Sequence, residues 1–325
     1  MSRSRRPFTI LALTVIVLLV VYRLADPERR TITDDVRRTA GGSFVRLSDG
    51  VTHYELTGSD TGRTVVLAAG SSVPYYIWDP TFDALRDAGY RVLRYDYYGR
   101  GFSDRPDVRY TQDLYVRQLA GLLDSLHVVR PIDLAGLSFG GSVITSFAAR
   151  YPDAVRSLVY IAPGFRRTYS LPATARLPLV AEFTTMLQER AMPRAQTTDF
   201  LHPERFPDWA DRYRGQLAFK GFRRARLSDW RENTNGDQAA EIAAVGAHSR
   251  PVLIIWGRQD PTVSFKGSAA LIAAIPRAEF LPVDSSGHLP IWEQPALVQP
   301  AILAFLRDAA HPDSTSHLSR GATVP

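Results

Sequence analysis

The stretch DLAGLSFGGSVITSFAARYPD, Asp133–Asp153, decides the fold. It opens as an apolar run and closes as a helix-like one. Between them Gly136-Leu137-Ser138-Phe139-Gly140 sets a serine between two glycines. Neighbours without side chains leave room for a residue held in a strained backbone conformation. Gly140 and Gly141 let the following helix pack closely on a sheet, and that helix's N-terminus brings free N–H groups and a positive dipole end to the hydroxyl. A tight turn that happens to contain serine has the same local appearance, so the surrounding chain has to choose between them.

Working outward, SFVRLSDGVTHYELTG shows two alternating runs around Asp49-Gly50, the pattern of a hairpin. RTVVLAAG (Arg63–Gly70) is a buried strand, Trp78–Gly89 a helix with a glycine stop, and Tyr90–Asp104 a strand followed by a glycine-broken loop. Tyr110–Leu126 has amphipathic helical spacing. PIDLAGLS is a strand, FGGSVITSFAARY a helix, and Arg156–Gly164 a further strand. Residues 165–248 hold helical stretches and no convincing strand. Pro251–Pro261 returns to a strand, followed by a helix, the strand and loop AEFLPVDSSGH, and a closing helix. Alternating strands and helices predict an α/β fold: a mostly parallel sheet with helices on both faces and an inserted helical cap. The implied organisation is an N-terminal membrane anchor or signal segment (1–25), a polar linker (26–42) and a first core part (43–164). The cap (165–248), a second core part (249–309) and a disordered Ser/Thr-rich tail (310–325) follow.

G-x-S-x-G alone is a weak signal, but here it falls between a strand and a helix, where a nucleophile elbow belongs. A serine hydroxyl needs a base. Of seven histidines, His288 in SSGHLPIWEQP is placed for that work, on a loop after the last strand. The base in turn needs an acid to fix its tautomer. Asp260 in WGRQDPTV lies just past the end of a strand, where open α/β sheets place their sites. Asp284 is the rival acid, but it lies only four residues from His288 on the incoming strand. The chain order is Ser138, Asp260, His288.

With GLSFGG, YDYYGRGFSDRP, WGRQDPTV and GHLPIWEQP in their usual order, the sequence resembles the α/β-hydrolase superfamily, and within it the lid-bearing serine esterases and lipases, over most of Phe44–Ala309. The resemblance implies a serine hydrolase with no metal or organic cofactor. It also implies an oxyanion hole made by the backbone N–H groups of Ser71 and Phe139. One block departs from the pattern. The family usually carries His-Gly after its third strand, and this chain has Ala69 where that histidine is expected. Backbone donors do not depend on side-chain identity, so Ala69 raises the question of what holds the loop rigid.

The chain has 325 residues, no cysteine and a net charge of +6. Absence of cysteine excludes disulfides, thiolate metal sites and a cysteine nucleophile. Residues 1–38 hold eight arginines against four acidic residues, so the arm carries +4 of the +6 and the body is nearly neutral. That distribution suits a membrane flank, not a nucleic-acid surface. Arg3, Arg5 and Arg6 precede an uncharged run, Phe8–Tyr22. Extended to Ala25, the run is read as an uncleaved anchor with the catalytic body outside the cytoplasm; a cleaved signal peptide with secretion is the alternative. The basic stretch Lys220–Arg226 is read as a solvated helix face. These features predict hydrolysis of a lipophilic carboxylic ester, such as a monoacylglycerol or short acyl ester. The alternatives are amide or C–C bond cleavage on the same triad, or a membrane-tethered binding protein that has kept the fold without turnover.

Overall fold

The computed structural model describes residues 5–165, 177–232, 234 and 236–309. The hairpin at Asp49-Gly50 forms, pairing β1 (Ser43–Arg46) with β2 (Val51–Thr57) antiparallel, Ser43 opposite Tyr54. Strands β3 (Thr64–Ala68), β4 (Arg91–Tyr95), β5 (Ile132–Leu137), β6 (Val155–Ile161), β7 (Val252–Gly257) and β8 (Glu279–Val283) complete an eight-stranded sheet of order β1-β2-β4-β3-β5-β6-β7-β8. β2 also runs antiparallel to β4, and every other pairing is parallel. β3, β5 and β7 are buried along their whole length, which is why they read as continuous apolar runs without alternation. Truncating a core leucine here, Leu134→Ala for example, is expected to cost roughly 2–5 kcal/mol.

Helices cover both faces. On one, α3 (Asp79–Asp87) packs on β4 and on the closing helix α13 (Pro295–Asp308), beside the short α12 (Pro290–Glu293). On the other, α4 (Gln112–Ser125) and α5 (Phe139–Arg150) pack together, and α10 (Ala239–Ala247) joins α5 to α11 (Gly267–Ala274). The parallel strands therefore deliver their C-terminal ends, and the loops that follow, to one edge of the sheet.

The insertion between β6 and β7 contains α6 (Pro178–Glu189), α7 (Met192–Gln196), α8 (Trp209–Arg214) and α9 (Phe222–Glu232), with no strand among the described residues. Residues 166–176 of the expected cap, and the tail from 310, lie outside the described residues. The return to the core comes earlier than residue 248. Gln238 is buried against α5, where its side chain accepts from Ser142 Oγ (2.5 Å) and donates to Ser142 O (3.1 Å) and Ser146 Oγ (2.7 Å).

Two further stretches differ from expectation. The polar stretch 26–42 carries a short helix, α2 (Asp34–Thr39), and Arg30 pairs with the insertion through Arg30 N–H to Ala218 O (2.8 Å) and Lys220 N–H to Arg30 O (2.8 Å). The basic stretch Lys220–Arg226 is not uniformly solvated. Arg223 is 1% exposed, and its guanidinium meets Asp26 (2.7 Å), Glu182 (2.8 Å) and Glu189 (2.8 Å). A buried arginine needs such partners, because desolvating an unpaired charge is prohibitive.

Candidate active site

Ser138 follows β5 directly and is the N-cap of α5, with φ 53° and ψ −117°. This left-handed φ is unusual for a residue with a side chain and is held by its surroundings. Ser138 N–H donates to Ile161 O (2.9 Å), while Ser138 O accepts from Gly141 N–H (2.9 Å) and Gly164 N–H (3.1 Å). The flanking glycines are sterically required. A Cβ on Gly136 would stand 2.5 Å from the carbonyl group of Gly140, and one on Gly140 would stand 2.1 Å from Ala68 O.

His288 is buried on the loop after β8, and Asp260 sits just beyond β7. His288 Nδ1 donates to Asp260 Oδ2 at 2.8 Å. Because the carboxylate can only accept, Nδ1 carries the proton and Nε2 keeps its lone pair. The other carboxylate oxygen, Oδ1, accepts from Thr262 N–H and Val263 N–H, both at 2.8 Å, which fixes the acid in place. Asp284, the rival acid, instead pairs with Arg258 at the surface (2.8 Å).

The elbow and the loop that carries Asp260 approach one another at one edge of the sheet. A Cβ on Gly164 would lie 4.0 Å from Ser138 C and 3.9 Å from Val263 Cγ2, so a single residue separates the elbow from the Asp260 loop. Among the described residues no hydrogen bond joins the Ser138 hydroxyl to the imidazole. Such contacts commonly tighten only with substrate. Burial works to lower the His288 pKa, but the hydrogen bond and charge of Asp260, with the charge of Asp199, outweigh it and raise it above the ordinary value.

The oxyanion side is equally local. A Cβ on Gly70 would lie 3.8 Å from Ser138 Cβ, which places the Ser71 loop against the elbow. Phe139 is the first residue of α5, so its N–H has no intrahelical partner. Its ring packs edge-on against Tyr97 (5.5 Å) and Tyr115 (5.1 Å). The aromatic run Tyr75–Trp78 serves packing: Ile77 and Trp78 are buried, and Tyr75 stacks on His53 at 4.8 Å.

Four residues that are not among the predicted site residues hold this geometry, two of them, Arg100 and Glu293, inside the quoted motif blocks. Arg100, 4% exposed, donates from Nε to Ser71 O (2.6 Å) and pairs with Asp229 of α9. Gln216 of the insertion donates to Ser72 O (2.7 Å) and accepts from Gly101 N–H (3.1 Å). Asp199 accepts the His288 N–H on its backbone carbonyl (2.7 Å) and the Thr262 hydroxyl on its carboxylate (2.5 Å); burial raises the pKa of that carboxylate. Glu293 accepts from Gly287 N–H (2.6 Å) beside the histidine and from Leu201 N–H (2.7 Å) in the insertion. In a second buried pair, His53 with Asp96 (2.7 Å), Nε2 is turned to Gly41 O (3.1 Å), and Asp96 accepts from Tyr75 and Phe102 N–H (2.8 and 2.9 Å). Among the described residues no group of three or more His, Asp or Glu side chains is placed to hold a metal ion.

Comparison with known proteins agrees with this architecture. The 2-hydroxy-6-oxononadienedioate/2-hydroxy-6-oxononatrienedioate hydrolase of Paraburkholderia phymatum is 29% identical over 296 residues, covering 85% of this chain and 99% of that protein. The 2-hydroxymuconate semialdehyde hydrolase of Pseudomonas sp. (strain CF600) is 31% identical over 227 residues, covering 67% of this chain and 77% of that protein. In fold, the meta-cleavage product hydrolase of Pseudomonas fluorescens IP01 superposes with a TM-score of 0.68 at 23% identity, covering 82% of this chain and 98% of that one. The family model for the alpha/beta hydrolase family matches residues 65–300, and the chain belongs to that family.

Proposed function

We propose that the protein is a serine hydrolase that cleaves a carbon–carbon bond beside a ketone carbonyl in a small oxo acid. The observation that carries the bond class is the match along 85% of this chain to a relative named for 2-hydroxy-6-oxo diacids. Ser138 Oγ attacks the ketone carbon as its proton passes to His288 Nε2, and Asp260 supports the imidazolium. The N–H groups of Ser71 and Phe139 hold the oxyanion. Collapse breaks the adjacent C–C bond, and the carbon leaving group, stabilised by conjugation, takes the proton from His288. Water then gives its proton to His288 and attacks the acyl-enzyme, releasing a carboxylic acid and returning the proton to Ser138. The insertion serves as a cap, since its Asp199 and Gln216 reach both the histidine loop and the oxyanion loop.

The second reading is the lipophilic carboxylic ester that the sequence suggests. It uses the same steps with an alcohol as leaving group. One observation favours it: α1 (Arg5–Ala25) presents an apolar window, Phe8–Ala25, of which none is buried. At about 1.5 Å per residue this window is roughly 27 Å long, close to the ~30 Å hydrocarbon core. We read α1 as a membrane anchor, with the body outside the cytoplasm because Arg3, Arg5 and Arg6 flank its start.

Absorbance-monitored cleavage of a 2-hydroxy-6-oxo-dienoate, beside p-nitrophenyl esters of graded length, separates the readings when Ser138→Ala is run in parallel. Serine-dependent loss of the dienoate chromophore supports C–C cleavage. Turnover of esters alone moves the assignment to the second reading. Absence of turnover and of Ser138 labelling by a fluorophosphonate, in folded protein, leaves a binding protein.

A further inference from the structure

The cap carries an apolar face that nothing in the described structure covers. Helix α6 buries Ala181, Thr185, Met186 and Glu189 on its inner side. Its outer side sets Leu177, Val180, Thr184 and Leu187 at helical spacing, all exposed, with Leu179 beside them 86% exposed and Leu187 47%. Thr184 does not interrupt the stripe, because its hydroxyl is satisfied by Val180 O (2.8 Å). Surface helices of soluble domains normally turn a polar face outward.

This stripe is fixed next to α1. Tyr22, in the last turn of α1, donates to Glu182 of α6 (2.9 Å) and accepts from Arg223 Nη1 (2.9 Å). Arg223 in turn holds Asp26, Glu182 and Glu189. The Glu28 carboxylate accepts from Gly221 N–H (2.7 Å) and Arg223 N–H (2.5 Å) at the start of α9. The end of α1, α6 and α9 therefore form one clamped body. None of the apolar window of α1 is buried, and only its last turn meets the cap, which suits lipid; a second copy of the chain would cover one side of it. Around the junction, Arg29, Arg190 and Arg194 are exposed, placed where anionic headgroups would meet them.

Resting on the reading of α1 as an anchor, we infer that the cap is a membrane-docking surface, whose α6 stripe seats at the headgroup–acyl boundary of the bilayer that α1 crosses. The Tyr22–Arg30 segment is the clamp that holds it there, so the cap stays at the lipid surface when α1 is inserted.

Because the chain has no cysteine, single reporters are clean. Leu179→Cys and Leu187→Cys, with Val129→Cys (75% exposed, before β5 at the opposite edge of the sheet) as control, are labelled with an environment-sensitive fluorophore. Each full chain is reconstituted into phosphatidylcholine–phosphatidylglycerol vesicles. The expected result is a blue shift and several-fold stronger quenching by spin-labelled lipid at 179 and 187 than at 129. Asp26→Asn with Glu28→Gln is expected to reduce that quenching while flotation with the vesicles is kept. Protein that floats while labels at 179 and 187 stay as aqueous as at 129 overturns the docking but leaves the anchor. A blue shift insensitive to lipid quencher, with energy transfer between labelled copies, overturns it in favour of self-association. Protein that fails to float overturns both, and none of these results bears on the triad.

Discussion

Arg100→Met separates what the buried guanidinium does for stability from what it does for the site. Arg100 binds Ser71 O through Nε (2.6 Å), Gly99 O through Nη1 (3.2 Å) and the Asp229 carboxylate through Nη2. Removing it takes from the Asp229 carboxylate its Arg100 partner, while the hydrogen bond from the Tyr115 hydroxyl (2.7 Å) stays. Breaking a buried ion pair costs about 3–5 kcal/mol. Asp229 is slightly exposed and retains Tyr115, so the lower end, about 3 kcal/mol, applies. At roughly 2–4 °C per kcal/mol, the melting temperature is expected to fall by about 6–12 °C. The second effect falls on the oxyanion loop. Loss of a whole oxyanion donor costs about 10²–10³ in rate. Here the donor remains and only its support is lost, with Gln216 still holding Ser72 O, so about 10- to 100-fold is expected.

The two effects part company in Arg100→Met/Asp229→Leu. Replacing both charges with apolar side chains removes the carboxylate that has lost its cation, and most of the stability returns. The support on Ser71 O does not return. The double variant is therefore expected to melt within about 3 °C of the parent, yet to react slowly. The assay is the rate of Ser138 labelling by a fluorophosphonate, which needs no knowledge of the substrate and passes through an oxyanion-like transition state. A double variant that labels at the parental rate would refute the reasoning and leave Arg100 a structural ion pair alone.

Other outcomes follow from the same geometry. Ser138→Ala abolishes labelling and lowers turnover by at least about 10⁴-fold, with circular dichroism unchanged. Asp199→Asn removes one of the charges that raise the His288 pKa. Neutral His288 then persists to lower pH, and the acidic limb of the labelling-rate profile moves down; a limb that stays in place excludes Asp199 as an influence on the base. Because the folded-state pKa of His288 is raised, its contribution to stability is complete below the unfolded value near 6.5 and is lost as pH rises through the folded value. Asp96 behaves oppositely. Burial works to raise its pKa, but the hydrogen bond and charge of His53 and the backbone donors Phe102 and Tyr75 prevail and lower it. Its contribution is present above the unfolded value near 3.8 and lost as pH falls through the folded one, so Asp96→Asn should flatten the acid side of the melting-temperature profile.

The sequence makes the sheet and the three candidate site residues legible for a shared reason. β5 and β7, which lead to Ser138 and Asp260, are buried along their whole length and appear as uninterrupted apolar runs, whereas β8 before His288 is a half-exposed strand closed by a polar turn. Ser138 lies directly after β5, and Asp260 and His288 lie on the loops that follow β7 and β8, so their positions follow from the ends of the strands. The partners of the residues that support them have no such local mark, even where the residue itself, like Arg100, lies in a quoted block. Arg100 and Asp229 are 129 positions apart. Arg223 lies in a run of like charges, and its carboxylates are 34, 41 and 197 positions away. Within its own segment it has the pattern of a solvated face, and only the tertiary structure removes it from water. The end of the cap was hidden similarly: α10 carries no signature separating it from the insertion helices, and its place in the core depends on Gln238 reaching α5.

Ala69 brings these two kinds of information into contact. The motif comparison locates a missing side chain in the oxyanion loop, but only long-range contacts can say what replaces it. Ala69 is buried, and the carbonyls of Ala68 and Ala69 face Gly140, where a Cβ would stand 2.1 and 2.7 Å from them. The elbow thus closes on the loop from below. Beyond it, Arg100 takes Ser71 O and Gln216 takes Ser72 O, so two successive carbonyls are fixed by side chains from the β4–α4 loop and from the insertion. Fixing the carbonyls fixes the Ser71–Ser72 and Ser72–Val73 peptide planes, and so anchors the chain immediately after the Ser71 N–H. Both donors are bound to the cap region, Arg100 through Asp229 and Gln216 by position. Rigidity that a histidine would supply within the loop is here supplied from the β4–α4 loop and the insertion, so an oxyanion hole proposed at Ser71 is expected to respond to how the insertion is seated.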